Sequence, residues 1–60
     1  MTIDKMYRKT RKSIDKMMFK RGFLAQNTIE NPTGFIVEYA GQFEAYLVVY
    51  DENWRVTNVL

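Results

Sequence analysis

Six basic side chains recur near helical spacing at the start of the chain: Lys5, Arg8, Lys9, Lys12, Lys16 and Lys20. Placed at 100° per residue they fall within an arc of about 120° and extend over roughly 22 Å. Such a row can track a phosphate backbone by charge neutralisation, which is salt-dependent and largely blind to sequence. The same arc has no Asn or Gln to read base edges and few aromatics to stack on bases. A solvated helix face is the simpler account of it, ahead of a nucleic-acid contact, and an acidic protein or membrane surface is a further partner class.

A second group lies in the later part of the chain. Ile36, Tyr46, Val48 and Tyr50, with Glu38 and Glu44, fall at strand-like alternation. Aromatic and aliphatic side chains exposed together on a small protein mark contact surfaces. Like charges placed directly opposite on neighbouring strands cost up to about 1 kcal/mol, so Glu38 beside Glu44 calls for a basic partner group or solvent screening. Two carboxylates without a third ligand hold a divalent cation poorly.

Enzyme chemistry finds little support. The 60 residues contain no Cys and no His, which removes disulfides, thiolate metal sites, the usual zinc ligand and the usual general base. Gly22, Gly34 and Gly41 are spaced as structural punctuation rather than as a phosphate loop, and Ser13 has no neighbouring base. At this length a single thin core is possible and a walled catalytic cleft is not. No catalytic residue, metal, cofactor or small-molecule substrate is therefore expected. No apolar run is long enough for a membrane span, and the expected compartment is the cytoplasm.

Charge is divided along the chain. Residues 1–21 hold eight basic groups against Asp4 and Asp15, a net +6, whereas residues 22–60 hold only Arg55 against five carboxylates, a net −4. The overall +2 hides a dipolar molecule.

The elements that must position these groups follow from periodicity. Ile3, Met6, Tyr7, Thr10, Ile14, Met17 and Met18 form one apolar stripe, so the spacing predicts a single amphipathic helix over 3–21. Thr2 would cap it, and Gly22 would end it in the left-handed conformation. Phe19 is the exception, pointing into the basic arc; it either tucks under Phe23 or stands exposed as an anchor. Beyond Gly22 the period changes to 2, predicting strands over 23–29, 35–39, 43–50 and 55–59. Turns fall at Asn31-Pro32-Thr33-Gly34, at Gly41 and at Asp51-Glu52-Asn53.

The expected fold is α+β, a two-layer sandwich with one helix on a three- to four-stranded antiparallel meander, forming one small domain over 1–60. A three-residue loop Ala40-Gly41-Gln42 would set Tyr39 against Phe43, Val37 against Ala45 and Phe35 against Leu47 on the helix-covered face. Phe23, Ala25, Ile29 and Val49 would extend that face. The opposite face would carry Ile36 against Tyr46, Glu38 against Glu44, and Val48 and Tyr50. The last hairpin could close from Tyr50 to either Trp54 or Arg55, leaving the side of Trp54 open.

In topology this order resembles the α-β-β-β unit of PepSY-type small inhibitory domains. The closing pair EAYLVVYDENWRVTNV is similar to their aromatic-strand, Asp/Asn-turn, strand ending. The early order also resembles double-stranded-RNA-binding and HicA-type folds, whose closing helix and, for HicA, histidine have no counterpart here. None of these resemblances assigns a functional residue. Short, cysteine-free chains with a basic helix are common among phage and mobile-element accessory proteins, an association by size and composition.

These observations point to a non-catalytic binding module that engages a protein partner, or a second copy as a homodimer, through Ile36, Glu38, Glu44, Tyr46, Val48 and Tyr50. The alternative is a nucleic-acid-binding accessory protein using Lys5, Arg8, Lys9, Lys12, Lys16 and Lys20.

Overall fold

A computed structural model describes residues 3–60. Two helices, α1 (Ile3–Met6) and α2 (Arg11–Lys20), precede four strands, β1 (Leu24–Asn31), β2 (Gly34–Ala40), β3 (Ala45–Asp51) and β4 (Val56–Val59). The strands form one antiparallel sheet in the order β1-β2-β3-β4, an open meander with the helices on one face. The α+β, two-layer expectation is met.

The single helix over 3–21 is not. Residues between α1 and α2 leave the helical path and pair with the outer edge of β4. Arg8 N–H donates to the Val56 carbonyl (2.8 Å), Val56 N–H to that of Lys9 (2.9 Å), and Arg11 N–H to that of Trp54 (2.9 Å). Arg8 takes a positive φ of 64°, and Thr10 is extended. Thr10 then caps α2 through Oγ1, which accepts from Ser13 N–H. A β-edge with unpaired backbone groups is a stronger attractor for this segment than four further helical residues, because the edge groups would otherwise be satisfied only by water. Tyr7 and Thr10 are consequently exposed, while Met6, Ile14 and Met18 enter the core as the stripe predicts. The cap expected at Thr2 lies outside the described residues.

The end of α2 follows the sequence closely. Gly22 sits at φ 87°, Phe23 N–H reaches back to the Met18 carbonyl and Gly22 N–H to that of Phe19. This paired 6→1 and 5→2 pattern satisfies the last helical carbonyls and turns the chain into β1. The first hairpin closes through Pro32-Thr33, with Asn31 Oδ1 accepting from Thr33 N–H (2.9 Å). Gly34, at φ 154°, lies so close to β3 that a side chain there would run into the Tyr50 carbonyl.

The register of the second hairpin differs from expectation by three residues. Phe35 faces Tyr50, Val37 faces Val48 and Tyr39 faces Tyr46. The loop has four residues, Gly41 to Glu44, closed by Gly41 N–H on the Glu44 carbonyl (2.8 Å). An odd shift exchanges the faces of β3. Tyr46, Val48 and Tyr50 therefore lie under the helices, whereas Leu47 and Val49 turn outward. The arrangement assigns β3's two tyrosines and a valine to the core, a larger apolar payload than the Ala45, Leu47 and Val49 set of the expected register. Phe43, expected under the helix, stands at the loop tip and is 91% exposed.

Candidate functional site

The helix-covered side contains a polar relay set into the core. Asp15, on α2, accepts a hydrogen bond from the Tyr39 hydroxyl at 2.6 Å, and the Tyr39 and Tyr50 oxygens are 2.5 Å apart. With the Tyr39 proton committed to Asp15, Tyr50 is the donor to Tyr39. Arg11 lies 3.6 Å from Asp15, one turn earlier on α2, and its guanidinium sits 4.7 Å from the centre of the Trp54 ring. Trp54, held at φ 59°, stacks on Phe35 with centroids 3.8 Å apart and planes within 6°. The closing turn thus places Trp54 on the helix side.

Burial is the first cause that pushes the Tyr50 hydroxyl up to about 12; the hydrogen bond with Tyr39 opposes it, the charge on Asp15 adds to it and that on Arg11 opposes it. Tyr39 is raised further, by burial and then by its bond to the Asp15 carboxylate. Both tyrosines are buried and neutral at ordinary pH, out of reach of any substrate. The network fixes the angle of α2 on the sheet and completes every polar atom it buries.

Among the described residues, no element covers the opposite face of the sheet. Cross-strand pairing lines up Ile29, Ile36, Val49 and Asn58 in one row, and Asn27, Glu38 and Leu47 in the next. Leu24, Ala40 and Ala45 form a third row toward the helix C-terminal end, and Leu60 follows β4 with its N–H on the Leu47 carbonyl (2.8 Å). Leu24, Ile29, Leu47 and Leu60 are 36–64% exposed. Glu38 is the carboxylate in the middle of this surface, and its Oε1 accepts from Asn27 Nδ2 at 2.8 Å.

The predicted binding residues are therefore divided. Ile36 and Glu38 lie on the open face as expected. Val48 and Tyr50 are buried in the core, and Tyr46 packs edge-on against Phe23 with ring centroids 5.2 Å apart. Glu44 is in the loop; Glu38 faces Leu47 rather than Glu44, so the expected clash of carboxylates does not arise. In place of the buried residues the open face presents Leu24, Ile29, Leu47, Val49 and Leu60. Three of these, Ile29, Leu47 and Val49, belong to the set that the expected register assigned to the helix. The alternation of β3 was visible; its parity was not.

The six-cation row is also broken up. Lys5 lies on α1, Arg8 and Lys9 lie in the segment paired with β4, and the Arg8 guanidinium is 5.6 Å from the Tyr7 ring centre. Lys12, Lys16 and Lys20 remain in line along α2, over about 12 Å. Phe19 emerges among them, 69% exposed, which decides against its tucking under Phe23. No group of His, Cys, Asp and Glu suited to a metal ion occurs among the described residues, and no helix among them is long and apolar enough to cross a membrane.

No protein family model, curated protein or solved structure matches this chain.

Proposed function

We propose that this chain is a non-catalytic protein-binding module whose docking surface is the bare sheet face, centred on Ile36, Leu47 and Val49 and bounded by Leu24, Ile29 and Leu60. The observation that carries the reading is a pair of rows, Ile29-Ile36-Val49 and Leu24-Ala40-Ala45, each apolar across three strands and flanking Leu47, with no covering element among the described residues. Burying such a surface gains about 25 cal/mol per Å² removed from water, and a preformed sheet face loses little entropy on docking. The groups with the most perturbed protonation, Tyr39 and Tyr50, are sealed under α2 and support a structural rather than a catalytic role.

The test is a pull-down from nuclease-treated lysate with the wild-type chain, a Leu47→Lys variant and a variant with Lys12, Lys16 and Lys20 changed to Glu. A species retained by the wild type and by the triple variant, and lost with Leu47→Lys, supports the reading. Species lost only with the triple variant count against it.

A second reading has its own observation. Lys12, Lys16 and Lys20 form an aligned cationic row with no carboxylate ion-paired to it among the described residues, and a duplex could lie along it. Three phosphate contacts give a log-log salt slope of about −2.7, half that of the unbroken six-residue row. Gel-shift titrations at several salt concentrations measure that slope, and the absence of a shift at low salt removes this reading.

A further inference from the structure

We infer that Glu38 makes the open face selective for a partner whose apolar surface carries a lysine or arginine, and that the same carboxylate opposes face-to-face stacking of two copies. The inference rests on reading the sheet face as a docking surface and adds the chemistry of what docks there.

Charge distribution carries it. None of the four strands contains Lys or Arg, and their only carboxylates are Glu30, Glu38 and Asp51. Asp51 is committed to its turn, where Oδ1 accepts from the N–H groups of Asn53 and Arg55. Glu30 faces Phe35 and so belongs to the helix side of the sheet. Glu38 alone stands within the apolar rows of the open face. One of its oxygens takes the Asn27 amide, and the other has no protein donor among the described residues. The single ion pair among those residues, Arg11 with Asp15, lies on the far side of the sheet.

Covering an ionised carboxylate with apolar surface removes its hydration, and the loss is recovered only if the incoming surface supplies a donor, best a cation. Two copies stacked through this face would bury two carboxylates and bring no cation with them. A partner with one basic side chain among apolar ones satisfies both requirements. The outer side of α2 from a second copy offers basic groups but only Phe19 as a large apolar residue, too little to cover the rows. Such a contact would also be head-to-tail, giving a ring or an open filament rather than a two-fold dimer.

The experiment selects twelve-residue random peptides displayed on phage against the immobilised full chain, then sorts the binders by loss of binding to Leu47→Lys. The expected result is that face-dependent peptides carry Lys or Arg among apolar residues and bind Glu38→Gln about tenfold or more weakly. Glu38→Lys should instead select peptides carrying Asp or Glu. Glu38→Gln keeps the size of the side chain and an acceptor for Asn27, and near-ultraviolet circular dichroism checks its fold. Face-dependent binders without basic residues, or with equal affinity for Glu38→Gln, overturn the charge selection while the docking surface stands. If no binder is sensitive to Leu47→Lys, the docking surface itself fails and this inference falls with it. In sedimentation the wild type should be monomeric at concentrations approaching millimolar; a wild-type dimer abolished by Leu47→Lys and untouched by Glu38→Gln also overturns it.

Discussion

The two faces of this sheet are built from nearly the same residue types, and what separates them is the company each keeps. Beneath the helices, Val37, Tyr39, Val48 and Tyr50 are 0–1% exposed, closed over by Met6, Ile14 and Met18. On the other side, Ile29, Ile36 and Val49 form one comparable row, with Leu47 beside it, and no described element above them. The two edges differ in the same way. The outer edge of β4 is zipped to residues 8–10, while β1, exposed along nearly its whole length, carries only the irregularity at Gln26. A sixty-residue chain has one roof to distribute, and it covers one face and one edge. The uncovered half is where a partner has something to gain.

The largest expected effect separates the faces directly. Ile14→Ala, in the covered core, should cost about 3 kcal/mol, whereas Ile29→Ala on the open face should cost less than about 1 kcal/mol. Urea denaturation of both variants measures the difference, and equal losses would mean that the open face is packed in solution.

Alkaline pH should act through the tyrosine pair of the covered side. An unfolded tyrosine loses its proton near pH 10, while folded Tyr50 holds its own to about 12 and Tyr39 longer. Above pH 10 the unfolded chain thus releases protons that the native one keeps. Stability, complete below pH 10, should fall toward pH 12 by about 1.4 kcal/mol per pH unit from Tyr50 alone. Unfolding curves between pH 9 and 12 test this, and a Tyr50→Phe variant should show a shallower decline.

Within the relay, Tyr39→Phe should be costlier than Tyr50→Phe. The first strands the buried Tyr50 hydroxyl without an acceptor and removes a bond to the Asp15 carboxylate, at about 2 kcal/mol; the second leaves Tyr39 bonded to Asp15, at about 1 kcal/mol. The order of the two denaturation midpoints is the informative quantity.

The smallest effect probes the covered edge. Thr10→Ala removes the cap of α2 and should cost about 1 kcal/mol. Amide exchange should show loss of protection at Arg11, Ser13 and Ile14 with that at Val37 little changed. Equal loss at both would show that the edge and the core open as one unit.

Much of this architecture was legible in the residues. The buried positions Met6, Ile14 and Met18 follow the helical period, and the Asn31-Pro32-Thr33-Gly34 turn and the Gly22 stop behave as their side-chain chemistry requires. The candidate surface was half legible. That one sheet face must lie bare follows from a single helical layer, and Ile36 and Glu38 were placed on it correctly. Tyr46, Val48 and Tyr50 were not, because Ala45-Tyr46-Leu47-Val48-Val49-Tyr50 is apolar at both parities and alternation cannot choose between them. The break in the helix at residues 7–10 was hidden for a similar reason. Tyr7 and Thr10 fit the helical stripe, and only the nearby edge of β4 offers their backbone a better set of partners.

The sequence by itself determined the charge split and the local conformations outside residues 7–10, since propensity, capping, turn chemistry and hydrophobic period act over a few neighbouring residues. Tertiary structure alone decided which side of β3 is core, where Trp54 stacks and which edge is sealed. Those outcomes depend on a four-residue loop against a three-residue one, on a hydroxyl pair finding Asp15, and on backbone groups some fifty residues apart meeting at one edge. Each is a competition between long-range contacts of similar local plausibility, settled only when the whole chain is packed.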